Sequence, residues 1–172
     1  MLAFGILKRC YRALIKNCRF IYCSLLVIFP MEKFIIREYQ SSDYHAVFEI
    51  WQACELTLGL SDTFQELERV RLLHPNLFLV LENGKEIIGT VMGSFDGRRG
   101  YVHHLAVLPE HRQNGCGTLL MRELEKRYEK MGAVKIHLFV EKRNQAVVAY
   151  YEKRQWQVRN DLIMMSKNIK EG

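Results

Sequence analysis

The stretch Leu105 to Met121, LAVLPEHRQNGCGTLLM, constrains this chain more than any other. An apolar strand end, Leu105-Ala106-Val107-Leu108, is cut off by Pro109, which has no N–H to give a strand ladder. A polar loop, Glu110 to Asn114, follows. Gly115-Cys116-Gly117 then opens a helix whose apolar residues Leu120, Met121, Leu124, Tyr128 and Met131 keep a spacing of three to four. A strand that feeds a glycine turn into a helix start aims unpaired backbone N–H groups at one point. Glycine lets the backbone come close to a ligand, and the helix dipole adds about half a positive charge there. The stretch therefore predicts an anion site suited to a phosphate or pyrophosphate.

The pattern is neither a Walker loop, which needs a glycine, four residues and then Gly-Lys-Ser/Thr, nor the dinucleotide fingerprint G-x-G-x-x-G. It reads Arg112-Gln113-Asn114-Gly115-Cys116-Gly117, with V-x-P-E-x-R before it and T-L-L-x-x-L-E after it. In that context it resembles the R/Q-x-x-G-x-G/A motif of the GNAT acyl-CoA N-acyltransferases. A second resemblance lies in Asn144-Gln145-Ala146-Val147-Val148-Ala149-Tyr150-Tyr151-Glu152-Lys153. Asn144 and Tyr151-Glu152-Lys153 match the family there, Ala146 falls one residue short, and Gln155 and Trp156 replace the usual glycine and Phe or Tyr. The resemblance covers about residues 33–168, with the two motifs in the expected order and at the expected distance. G-T-V-M-G-x-x-D-G-x-R-G followed by L-A-V-x-P-E-x-R is also similar to a bacterial group related to the ribosomal-protein N-terminal acetyltransferases.

The order of elements agrees with that fold. Phe34 to Arg37 reads as a strand, and Ser41-Ser42-Asp43 offers an N-cap to a helix with the stripe Tyr44, Val47, Phe48, Trp51 and Cys54. Thr63 to Glu66 has capping-box spacing, with Leu67, Val70 and Leu73 on the helix face behind it. Leu77 to Glu82 is a buried strand, Asn83-Gly84 a hairpin signal, and Glu86 to Ser94 the returning strand. Gly89 and Gly93 within it mark a bulge or a close backbone approach. Tyr101 to Leu108 leads into the anion loop, and Gly132 caps the loop helix. Val134 to Val140, a helix from Gln145 to about Lys153, and a closing hairpin of 156–159 and 162–167 complete the chain. The expected architecture is α/β: a mixed, mostly antiparallel sheet with helices on both faces and a central βαβ acetyl-CoA site.

The resemblance implies an acetyl-CoA-dependent N-acetyltransferase acting on a primary amine of a small molecule or protein. Acetyl-CoA is then a co-substrate, with no metal involved. Main-chain N–H groups of Leu105, Ala106 and Val107 grip the pantetheine arm and suit the developing oxyanion. Arg112, Gln113, Asn114, Gly115, Cys116, Gly117 and Thr118 hold the pyrophosphate, with Asn144 and Tyr151 also at the cofactor, and residues Leu58 to Phe64 line the acceptor side. Tyr151 is the expected general acid for the departing thiolate. Ribosomal-protein relatives carry a base glutamate where this chain has Phe139, so the base comes from elsewhere. Strand alternation puts Tyr101, His103 and Leu105 on one face and Val102, His104 and Ala106 on the other. His103 falls on the second histidine of the arylalkylamine members' His-x-His-x-Leu-Ala-Val strand and is the expected base, with Glu141 second and His104 third. Protein N-termini, lysines, polyamines and antibiotic amines all satisfy the pattern. A non-catalytic acyl-CoA sensor and a membrane-tethered interaction protein are the competing classes.

Charge separates the chain into two parts. Of 25 Lys and Arg residues, Lys8, Arg9, Arg12, Lys16 and Arg19 precede residue 31, where no acid occurs; 20 then face all 19 acidic residues in 31–172. A near-neutral domain argues against a nucleic-acid face. Phe20 to Phe29 is an apolar run of ten residues, too short for a span of about 20, and no small-x-small cleavage site follows it. Residues 1–30 read as an extension before a domain at 31–172 that opens at Met31; a basic membrane-surface anchor and a structural helix are the other readings. Five cysteines without C-x-x-C or zinc spacing indicate thiols in a reducing, cytoplasmic compartment, with Cys116 in a packing role. A monomer or homodimer is expected.

Overall fold

The computed structural model describes residues 34–169. The expectations for residues 1–30 and for a start at Met31 lie outside them. Among the described residues the strands are β1 (Phe34–Glu38), β2 (Phe78–Asn83), β3 (Glu86–Phe95), β4 (Arg99–Val107) and β5 (Lys135–Leu138). The helices are α1 (Tyr44–Ala53), α2 (Phe64–Leu73), α3 (Cys116–Lys130) and α4 (Gln145–Glu152). The sheet runs β1-β2-β3-β4-β5, with β4 and β5 parallel and every other pair antiparallel. The parallel pair needs a crossover, and α3 supplies it.

β2 is apolar on both faces, and each face has its own core. Leu79 and Leu81 point with Ile88, Val91 and Val102 toward Leu120, Leu124 and Tyr128 of α3. Phe78 and Val80 point with Met92 toward Val47, Ile50 and Trp51 of α1 and Leu67 of α2. Helices on both faces follow from this double burial. No described helix is long and apolar enough to cross a membrane.

Local signals in the sequence settle into recognisable places. The β2–β3 hairpin turns through Gly84 at φ 65, and Gly132 at φ 78 ends α3. Met131, read as part of the α3 stripe, instead stands past the helix and is largely exposed. Asp43 precedes α1 but does not cap it with its side chain. Its carboxylate accepts from Arg37 Nη1 at 2.6 Å and from the Gln40 N–H at 2.8 Å, because a guanidinium within reach is the stronger partner.

The expected closing hairpin does not form. Among the described residues no strand follows α4, and β5 is the sheet's edge. Arg159 and Asp161 pair at 2.7 Å across a local turn, and Leu162 to Met165 are exposed. Four consecutive apolar residues lack the alternation that would hold one face of a strand against β5.

Gly93 and Gly100 explain how α3 is seated. A Cβ on Gly93 would stand 2.4 Å from Tyr128 Oη, and one on Gly100 would stand 2.8 Å from the Tyr128 ring. The ring therefore lies directly on the sheet, where its hydroxyl donates to the Tyr101 carbonyl at 2.7 Å. Gly89 likewise leaves room for the Ala106 carbonyl, 3.1 Å from where a Cβ would be. Gly93→Ala should destabilise the fold by about 1–3 kcal/mol through overpacking. Calorimetry should show a Tm lower by about 3–10 °C.

Candidate active site

The site is built by a fault in one strand. Met92 of β3 pairs with His103 of β4, but Thr90 pairs with Ala106, so His104 and Leu105 together oppose Val91. This is a β-bulge, and it holds His104 at φ 45, a left-handed conformation unusual outside glycine. The extra residue corrects the expected alternation. His104 joins His103 on the α1 side, since it reaches Trp51 and Asp62, and Ala106 packs in the α1-side core. Leu105 turns with Val102 and Val107 toward α3. His103 and Leu105 therefore do not share a face.

β5 pairs with β4 only through Arg99–Val102, ending at Val102 opposite Leu138. From His103 to Val107 the outer edge of β4 has no strand partner among the described residues. The loop expected to hold an anion begins where that open edge ends. A turn at Pro109–His111 leads into Gln113 at φ 66 and Gly115 at φ 80, two left-handed residues that curl the backbone ahead of α3. Leu119 N–H is the first in the helix to find its carbonyl, that of Gly115 at 2.9 Å. The N–H groups of Gly117 and Thr118 have no helical acceptor behind them.

Glycine at 115 is required by its φ. Glycine at 117 is not required by the protein's own packing, because a Cβ there would meet Tyr150 Oη at 3.6 Å and Val107 Cγ2 at 3.9 Å, both ordinary contacts. What Gly117 keeps clear is space outside the chain. Arg112 ties the loop to the strand, donating from Nε to the Val107 carbonyl at 2.9 Å, and Cys54 Sγ donates to the same oxygen at 3.2 Å. Cys116 is buried in the α3-side core, in the packing role expected for it.

Around the loop stands a residue that sequence reading did not select. Arg154 lies 3.6 Å over the Tyr150 ring and donates to Thr118 Oγ1 at 2.8 Å. Its N–H donates to the Tyr151 carbonyl and its guanidinium to the Tyr150 carbonyl, both at 2.9 Å, so the last turn of α4 places it; Gln155 then adopts φ 66 and turns the chain after α4. A left-handed non-glycine residue costs about 1–2 kcal/mol, and this chain accepts it. A cavity of about 510 Å³ opens here between Thr118, Arg122, Glu125, Lys153 and Arg154.

Tyr151 is buried in the α3-side core, with its ring edge-on to Tyr150 at 5.1 Å and to Trp156 at 5.5 Å. Burial pushes its phenol well above the usual value, so it stays neutral and able to donate. Asn144 accepts from the Val147 N–H at 3.3 Å, capping α4, which accounts for it without a ligand.

The base candidates differ sharply. His103 Nε2 lies 3.2 Å from Ser94 Oγ, and burial, with a smaller push from His104, holds its imidazole below the usual value. Glu141 accepts from Thr57 Oγ1 at 2.6 Å and pairs with Arg143; these two contacts hold its carboxylate below the usual value and weaken it as a base. His104 Nε2 lies 2.7 Å from Asp62 Oδ1. Asp62 is buried and also accepts from the Gly59 N–H at 2.8 Å. Burial opposes its charge, but the His104 and Gly59 hydrogen bonds outweigh it and hold the carboxyl below its usual value. Asp62 also lines a cavity of about 250 Å³ with Tyr44, Phe48, Leu58, Gly59 and Thr63. That segment falls within the 58–64 stretch expected on the acceptor side.

Comparison with known proteins agrees with this geometry. Residues 36–155 match the acetyltransferase (GNAT) family. The chain is 38% identical over 136 residues to an acetyltransferase of Pectobacterium atrosepticum, covering 79% of this chain and 96% of that one. An acetyltransferase of Sodalis glossinidius is 34% identical over the same shares. Among solved structures, the PaiA N-acetyltransferase of Thermoplasma acidophilum, in complex with coenzyme A, superposes with a TM-score of 0.67 at 18% identity, over 74% of this chain and 92% of that one.

The open space at Gly117 is directly testable. Gly117→Glu should fold normally, since the Cβ fits, while its carboxylate repels an anion at the helix start. Calorimetric titration should show acetyl-CoA affinity reduced by about a hundredfold or more, a like-charge penalty of several kcal/mol.

Proposed function

The chain belongs to the GNAT family of acetyltransferases, and from that premise we propose that it acetylates a primary amine held in the cavity beside Asp62. The observation that carries this reading is the opening of β4 after Val102, directly beside the start of α3. One continuous run of main chain thus offers an unpaired strand edge and then a helix N-terminus.

The N–H groups of Gln113 to Thr118 hold the pyrophosphate, and those of Leu105 to Val107 hold the pantetheine arm. Acetyl-CoA, when bound, supplies the acetyl group that the amine takes. Arg112 fixes the loop against the strand end through Val107. Tyr151, kept neutral by burial, offers its hydroxyl proton where charge develops on the departing sulfur. Holding both reactants at one strand edge supplies much of the acceleration.

The cavity has room for an alkylamine side chain or a chain terminus, with Tyr44, Phe48 and Leu58 for the carbon chain and Asp62 near its charge. This suits the likeness to ribosomal-protein N-terminal acetyltransferases, although Phe139 replaces the base those relatives use. Residues 31–172 form the catalytic domain in this reading, and residues 1–30 are an extension to it.

A panel of free peptide N-termini, lysine peptides, polyamines and aminoglycosides, incubated with acetyl-CoA and followed by thiol release, tests the reading. Amine-dependent release is expected, and its absence across the panel would contradict it. Tyr151→Phe keeps the ring and should lower kcat about a hundredfold with the KM for acetyl-CoA little changed. A chain beginning at Met31 should bind CoA as tightly as the full chain.

A further inference from the structure

We infer that His104, oriented by Asp62, is the general base that takes the proton from the acceptor amine. The inference rests on the amine acetylation proposed above. His104 belongs to both halves of the site: it is the bulged residue at the start of the open β4 edge, and it bonds the carboxylate that walls the acceptor cavity.

The chemistry of the pair fixes the tautomer. An ionised carboxylate only accepts, so the hydrogen in the 2.7 Å contact sits on His104 Nε2, and the lone pair of the neutral ring is at Nδ1. Asp62 is buried and held by the Gly59 N–H as well, so it cannot swing away. Trp51 meets the imidazole edge-on at 4.6 Å and fixes the second side of the ring. In the step itself an N–H bond of the amine breaks, an Nδ1–H bond forms, and the Asp62 carboxylate faces the resulting imidazolium. Once the amide has formed, the proton leaves Nδ1 for water.

The backbone supports the same reading. A histidine at φ 45 in mid-strand is a strained choice, and without the bulge its side chain would face α3 instead. Asp62 faces it from the Leu60–Asp62 turn just before α2, His103 neighbours it on β4, and His74, just past the end of α2, acts on His103. His103 is occupied with Ser94, and Glu141 with Thr57 and Arg143. Asp62 is a positioning residue here, and His104 the catalytic one.

The test compares kcat against pH for the full-length protein, His104→Asn, His103→Asn and Asp62→Asn, with n-butylamine and a free-N-terminal tetrapeptide as acceptors. Asn is chosen at 104 because it tolerates a left-handed backbone. His104→Asn should lower kcat about a hundredfold and abolish the acidic limb of the profile, with acetyl-CoA affinity unchanged. His103→Asn should keep the limb. Asp62→Asn should lower kcat at least about tenfold and displace the midpoint of the limb, which a purely structural role would not do. In the unsubstituted protein, the imidazole resonances of His104 should titrate with the same midpoint as that limb, a measurement that needs no variant to fold. A limb retained in His104→Asn, or one that follows His103 or Glu141→Gln instead, overturns the inference and leaves the acetylation reading standing. Absence of thiol release with every amine overturns both.

Discussion

One extra residue in β4 determines most of what this domain offers a ligand. If β3 and β4 paired in unbroken register, His104 would face α3 and the two histidines would lie on opposite sides of the sheet. The bulge at His104–Leu105 rotates the strand by one position, and pairing with β5 ends at Val102, just before it. An open strand edge inside a folded domain ordinarily invites aggregation. Here it is short and runs straight into the turn at Pro109–His111 and the start of α3, and in the proposed reading it is the surface that CoA occupies.

That surface needs a rigid support, and the far end of α3 provides it. Tyr128 lies against the strands at Gly93 and Gly100, closer than any side chain there would allow, and bonds the Tyr101 carbonyl. Leu120 and Leu124 fill the space between, fully buried. The helix start is thereby held beside Val107, to which Arg112 adds a direct bond. Position, more than any special side chain, makes the N-terminal N–H groups useful.

The fold was largely legible in the sequence because its signals are local. Pro109, the 115–117 glycines and the α3 stripe placed the loop ahead of α3, Asn83-Gly84 placed a hairpin, and Gly89 and Gly93 marked close approaches that the structure shows. The bulge was not legible, because alternation read from a single strand assumes perfect register, and only the pairing with β3 shows where it slips. Asp62 escaped notice for a related reason: its partner is 42 residues away, and nothing local distinguishes it from a turn aspartate. Arg154 gains its place by the loop from a bond to Thr118, 36 residues away, which no local pattern marks. The apolar run from Leu162 to Met165 suggested a strand by composition alone, and without alternation it found no place in the sheet.

In the proposed reading CoA lies along the open edge of β4 and ends at the start of α3. Titrating the ¹⁵N-labelled protein with CoA and following backbone amide resonances tests that claim residue by residue. The largest shifts should fall on Leu105 to Val107 and on Gln113 to Thr118, with β1 and β2 unmoved. Saturable binding that leaves those amides in place, or shifts centred elsewhere in the domain, would contradict it.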